Sequence, residues 1–191
     1  MTEREGRGPG WIGRALLGAL LVIAAANFLV LARAPRHSRT RPAPGPAGRE
    51  DGAAAPAFSG PLVGGGRAAL ADFRGKVVLL DFWATWCVPC VLEMPTLERV
   101  HKQFAGAGRP FSVLGINNDG DGMPREKIAA FVRKHGLSYP SIFDDGDIAA
   151  QYDVETIPHM VLIDRAGRVQ KAFDGAVSEK QLVADIEELL K

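Results

Sequence analysis

The chain has 191 residues, 47% of them hydrophobic and 24% charged, enough for one domain with its own core plus an extension. Its net charge of +1 hides an asymmetry: residues 1–57 hold eight arginines against four acids, and residues 58–191 hold fifteen Lys/Arg against eighteen acids. A mildly acidic globular part argues against nucleic acid, which wants a basic face, and two cysteines are too few for a disulfide scaffold.

Residues 1–10 read as an N-terminal tail. The run Ala15–Ala32 carries one polar residue, Asn27. As a helix it spans about 27 Å, against a hydrocarbon layer of roughly 30 Å. Trp11 and Arg14 extend it at the interface, so residues 11–32 predict a transmembrane anchor. The small-x-small triplet Ala32-Arg33-Ala34 leaves a cleaved signal segment as the alternative. Arginines flank both ends, so charge counting does not orient it. Residues 33–57 contain five prolines and read as a Pro/Ala-rich disordered linker.

The domain is expected over residues 58–191. Gly64-Gly65-Gly66 separates two short apolar stretches, Phe58–Val63 and Arg67–Leu70, which predicts a hairpin. Lys76–Phe82 is a near-continuous apolar run of the kind that forms a strand covered on both faces. Apolar residues at 91, 94, 97, 100 and 104 predict a helix over Cys90–Phe104. Phe111–Ile116 reads as a strand, Pro124–His135 as a helix ended by Gly136, and Tyr139–Phe143 as a short strand. Ile148–Tyr152 reads as one helical turn. His159–Ile163 and Val169–Phe173 form strands about the turn Asp164–Gly167. Ser178-Glu179-Lys180-Gln181 has the form of a capping box before a last helix carrying Leu182, Ile186 and Leu189. This order predicts an α/β fold, a mixed central sheet flanked by helices.

Both cysteines of the chain, Cys87 and Cys90, lie in Trp86-Cys87-Val88-Pro89-Cys90, between a central strand and a helix. With no competing cysteine, the pair reads as a reactive dithiol. Cys87 at the helix start meets unpaired N–H groups and the positive dipole end, which favour the thiolate. Cys90, one turn in, reads as the buried resolving thiol and needs a base. Asp81 sits inside the apolar run, where a carboxylate is costly unless it works or is paired, and burial raises its pKa. Glu93, one turn past Cys90, faces the same site or is an ordinary surface residue. Pro158 in Thr156-Ile157-Pro158 is either a strand-opening proline or a cis-proline beside the dithiol that lines a substrate groove with Ile157. His159 follows, as a strand residue or a redox partner. Trp83 and Trp86 flank the pair as core packing or as an apolar collar; Trp86, Val88, Pro89, Ile157 and His159 are the candidate substrate contacts. A dithiol carries its own two electrons, so no cofactor and no metal is expected.

The stretch Leu70–Pro95, LADFRGKVVLLDFWATWCVPCVLEMP, with Ile157-Pro158 and the VLID strand, resembles the membrane-anchored TlpA/ResA-type thioredoxins of bacteria. The resemblance covers about residues 56–191. It implies a thioredoxin fold with an N-terminal hairpin and a helix–strand insert near residues 121–143. It places the nucleophile on Cys87, the resolving thiol on Cys90, the cis-proline on Pro158 and the active-site glutamate on Glu93. Asp81 matches the buried aspartate of ordinary thioredoxins, where several ResA-like members carry Asn. His159 departs from the Thr often found after the cis-proline. The implied function is reduction of disulfides in envelope proteins such as apocytochrome c, with electrons from a membrane donor of DsbD/CcdA type. The domain would then face the periplasm or outside from a single-pass anchor in the bacterial inner membrane. Three rivals remain at this stage. Two thiolates with His159 could carry copper, and the disulfide could be merely structural. Peroxide reduction wants Pro-x-x-x-Thr-x-x-Cys, but Leu80 and Ala84 occupy those positions.

Overall fold

A computed structural model of the chain describes residues 52–120 and 122–191. The tail, the apolar segment 11–32 and the linker up to residue 51 lie outside the described residues. Among the described residues no helix is long and apolar enough to cross a membrane.

The hairpin forms as expected, with β1 (Ser59–Pro61) antiparallel to β2 (Arg67–Ala69) and one 3₁₀ turn after it, Leu70–Phe73. Then follow β3 (Val77–Trp83), α1 (Val88–Phe104), β4 (Phe111–Asn117), α2 (Arg125–Lys134), β5 (Ser141–Phe143), α3 (Asp147–Gln151), β6 (His159–Ile163), β7 (Val169–Asp174) and α4 (Glu179–Leu189). The main sheet has the order β5-β4-β3-β6-β7. β3, β4 and β5 run parallel, whereas β6 and β7 are antiparallel to their neighbours. This is the thioredoxin-like α/β arrangement, with α2 and β5 as the extra helix and edge strand.

Every residue of β3 is buried, as its unbroken apolar run requires. Alternation then sorts its side chains. Val78, Leu80 and Phe82 pack with Phe58, Ile142 and Tyr152 on the hairpin side. Val77 and Leu79 pack with Leu97, Val100, Leu182 and Ile186 on the side of α1 and α4. Asp81, by the same alternation, falls on the α1 side.

Two expectations need correction. Residues 52–57 are tied down rather than part of a free linker. Gly52 and Ala55 donate to the carbonyls of Val169 and Gly167, Val169 donates back to Ala53, and the Tyr152 hydroxyl donates to Pro56. Backbone pairing of this kind does not depend on the Ala-rich composition that suggested disorder. The capping box of α4 is half made. Ser178 Oγ accepts from the Gln181 N–H at 3.2 Å, but the Gln181 amide turns down the helix to Asp185.

Candidate active site

Cys87 is the N-cap of α1 and Cys90 lies in its first turn. The two sulfurs are joined, with Cα atoms 5.3 Å apart. Cys87 Sγ accepts the Cys90 N–H at 3.3 Å, so the helix start already serves the sulfur expected to ionise. Pro89 fits this turn because its missing N–H would have had no partner. In the disulfide form both cysteines are covered, 4% and 3% exposed. The contrast expected between an open Cys87 and a shielded Cys90 is therefore absent in this oxidised state.

On the α1 side of the sheet lie two buried acids. Asp81 is 2% exposed, and its Oδ2 has no hydrogen-bond partner. Loss of water pushes its carboxyl up to about 8, and the neighbouring Glu93 adds to the shift. Asp81 therefore holds its proton at neutral pH. Glu93 is buried as well, so it is not a surface helix residue. Its Oε1 accepts the Val177 N–H at 2.8 Å, which favours the carboxylate, but desolvation outweighs this and raises its pKa. Two carboxyls on one side of the sheet, both held above their ordinary range, form a place where a proton can be taken up.

The peptide bond Ile157–Pro158 is cis, and Ile157 packs against the cluster that contains both cysteines. The collar divides in two. Trp83 is buried and stacks on Phe131, with centroids 5.8 Å apart, whereas Trp86 is 64% exposed. Val88, Pro89 and Leu92 are also exposed, so an apolar ridge borders the disulfide. His159 does not join it. Its ring is buried against Phe82, and Nδ1 lies 2.9 Å from Asp174 Oδ1. The sequence reading of His159 as a substrate contact is corrected accordingly, because β6 carries this side chain on the Phe82 side. Among the described residues no group of three His, Cys, Asp or Glu is placed to hold a metal ion.

Two further features were not foreseen. Asp119, just past β4, accepts from Thr85 N–H at 3.0 Å, Thr85 Oγ1 at 2.6 Å and Asn117 Nδ2 at 2.7 Å. It pins the loop that leads into Cys87. An acid two residues after a buried strand was the only signal. Leu92 is apolar and one turn beyond Val88, but it falls outside the core-facing periodicity.

A redox-active Cys-x-x-C at the start of a helix, backed by buried carboxyls and a cis-proline, performs thiol–disulfide exchange. The comparisons agree. The AhpC/TSA family model matches residues 52–172. The chain is similar to the thiol-disulfide oxidoreductase ResA of Bacillus subtilis (33% identical over 151 residues, 76% of this chain and 80% of that one). It is also similar to the thioredoxin-like protein YneN of the same organism (33% over 135 residues, 71% and 78%). Among solved structures, a secreted thiol-disulfide isomerase from Corynebacterium glutamicum superposes with a TM-score of 0.64 at 31% identity, covering 71% of this chain and 84% of that one. The peroxidase residues are still lacking here, since buried Leu80 and Ala84 occupy their positions. The chain therefore belongs to the AhpC/TSA family, among its ResA-like thiol-disulfide oxidoreductases, and acts on disulfide-containing proteins.

Proposed function

We propose that this oxidoreductase works as a reductant outside the cytoplasm, held at the bacterial inner membrane by residues 11–32. Its targets are envelope proteins such as apocytochrome c, and its electrons come from a membrane donor of DsbD/CcdA type. The observation that carries the reductant direction is the pair of buried carboxyls, Asp81 and Glu93, on the α1 side of the sheet. A proton-accepting pair on the Cys90 side favours attack by Cys90 on the mixed disulfide, the step that releases a reduced target.

In the proposed cycle the Cys87 thiolate attacks a target disulfide and one target sulfur leaves as a thiol. Cys90 then passes its proton to the Asp81–Glu93 pair and attacks Cys87 Sγ. The second target sulfur leaves, and the Cys87–Cys90 disulfide seen here is the product. Two electrons have passed to the target. Ile157-Pro158 and the ridge of Trp86, Val88 and Pro89 receive the target chain. The test is a pair of variants expressed in a bacterial envelope. Cys87→Ser is expected to abolish insulin-disulfide reduction, and Cys90→Ser to accumulate mixed disulfides with envelope proteins. A Cys90→Ser protein that traps nothing refutes the assignment.

A further inference from the structure

A surface helix ordinarily turns polar residues away from the core. α1 does so along its second half, where Arg99, Lys102 and Gln103 are exposed, but not along its first. Positions 88, 92, 95 and 99 fall within about 60° of one another around a helix of 3.6 residues per turn. They make one stripe, opposite the face that buries Cys90, Glu93, Met94 and Leu97. The stripe reads Val88, Leu92, Pro95 and then Arg99, all exposed. Arg99 marks where its apolar part stops, with Nη2 2.7 Å from Glu179 Oε2 on α4.

Among the described residues, the large apolar side chains left exposed are Trp86, Val88 and Leu92, at 64%, 67% and 75%. All three gather at one place, because Trp86 directly precedes Cys87 and the other two lie in the first turns of the helix that Cys87 caps. Between Trp86 and Pro95 the only ionisable side chain besides the cysteines is Glu93, and it is buried. The patch therefore carries no charge. Exposed apolar surface gathered in this way marks a contact with another molecule. From Val88 to Pro95 the helix rises about 10 Å, the span of about three residues of extended chain.

We propose that this stripe of α1 docks the apolar side chains that lie within about three residues of the attacked cysteine in an extended target chain, and that Leu92 is the residue that sets the preference. The inference rests on the reading of Cys87 as the sulfur that attacks the target. A target joined to Cys87 is delivered to the start of the stripe, so Leu92 continues the contact begun by Trp86, Val88 and Pro89. Apolar flanking residues lose water there at a gain, whereas polar ones lose their hydrogen bonds to water and find no charged partner. The enzyme thus selects disulfides set in apolar sequence, the kind exposed in a chain that has not yet folded.

The test uses the full-length reduced protein and two synthetic peptides, each closed by one internal disulfide and carrying the same lysine tail. Leu, Val and Phe flank the cysteines in one peptide, and Ser, Gln and Asn in the other. Each second-order rate of peptide reduction, read by chromatography, is divided by the same protein's rate with glutathione disulfide. Wild type is expected to reduce the apolar peptide about tenfold faster than the polar one. Leu92→Gln is expected to cut that ratio about fivefold, and Leu92→Met to keep it. A ratio near one in wild type, or one that Leu92→Gln leaves unchanged, overturns the docking stripe while the oxidoreductase reading stands. A dimer in sedimentation that Leu92→Gln dissolves also overturns it, since the stripe is then covered by a second copy of this chain. If wild type reduces neither peptide nor glutathione disulfide, the reading of Cys87 falls and the stripe falls with it.

Discussion

Asp81→Asn is the substitution whose consequence follows most directly from the structure. The Asp81 carboxyl has an ordinary value of 3.8 and is pushed up to about 8 in the fold. The folded pKa is the higher one, so the unfolded chain loses this proton first as pH rises. Stability is therefore intact below pH 3.8 and is lost progressively as pH rises toward 8. Each pH unit in that window costs about 1.4 kcal/mol, so the penalty grows by about 4 kcal/mol between about pH 5 and pH 8. Asparagine keeps the shape and removes the titration. In urea unfolding of the oxidised protein, the stability gap in favour of the variant is expected to widen by that amount. At a slope of about 2 kcal/mol per molar this is a midpoint shift of about 2 M. Glu93, also held up, adds a term of the same sign that survives in the variant. The same substitution is expected to slow resolution by Cys90. A gap that stays constant across this pH window refutes the claim that Asp81 is carried neutral in the fold.

Other outcomes can be checked beside it. Asp119→Ala removes the acceptor of three donors that hold the loop before Cys87. It is expected to cost about 2–4 kcal/mol in urea unfolding and to slow alkylation of the reduced dithiol. Trp86→Ala on the exposed ridge is expected to raise KM for a protein disulfide several-fold and to leave reaction with a small aromatic disulfide unchanged. His101 Nδ1 accepts the Val113 N–H at 3.2 Å on the uncovered edge of β4, and desolvation lowers its pKa below 6.5. Its contribution is thus present above 6.5 and lost as pH falls through the folded value. Because this slope opposes that of Asp81 at mildly acid pH, it is best read in the Asp81→Asn background. There His101→Phe is expected to flatten the acid side of the stability curve in urea titrations.

The parts of this protein that are readable from its residues are those where one chemical type stands against its surroundings. Val77–Trp83 announces a buried strand because its apolar run is unbroken except at Asp81, and that exception marks the acid on the α1 side of the sheet. Cys87 and Cys90 need only their spacing and the helix that follows. The spacing of Val91, Met94, Leu97, Val100 and Phe104 shows which face α1 buries, though the helix starts at Val88, where the N-cap and Pro89 set the boundary. What stays hidden is what the tertiary fold brings together across the sheet. Gly115 looks like a weak point in a strand until Trp83 and Ser141 are seen closing over it. Asp119 belongs to a polar loop, NNDGDG, in which no residue stands out until Thr85 is placed beside it. His159 follows Pro158 directly, but strand alternation turns it away from the dithiol toward Phe82.

The hold on residues 52–55 lies at the end of the domain away from the dithiol. Those residues fasten to Gly167 and Val169, where the chain turns from β6 into β7, while the sulfurs crown the far tip of β3. β6 runs against β3, so these are opposite poles, separated by a strand of seven residues, about 23 Å of rise. The fastened residues 52–55 and the dithiol therefore never compete for the same space. A client that reaches the β3 tip therefore meets the disulfide without passing the fastened residues.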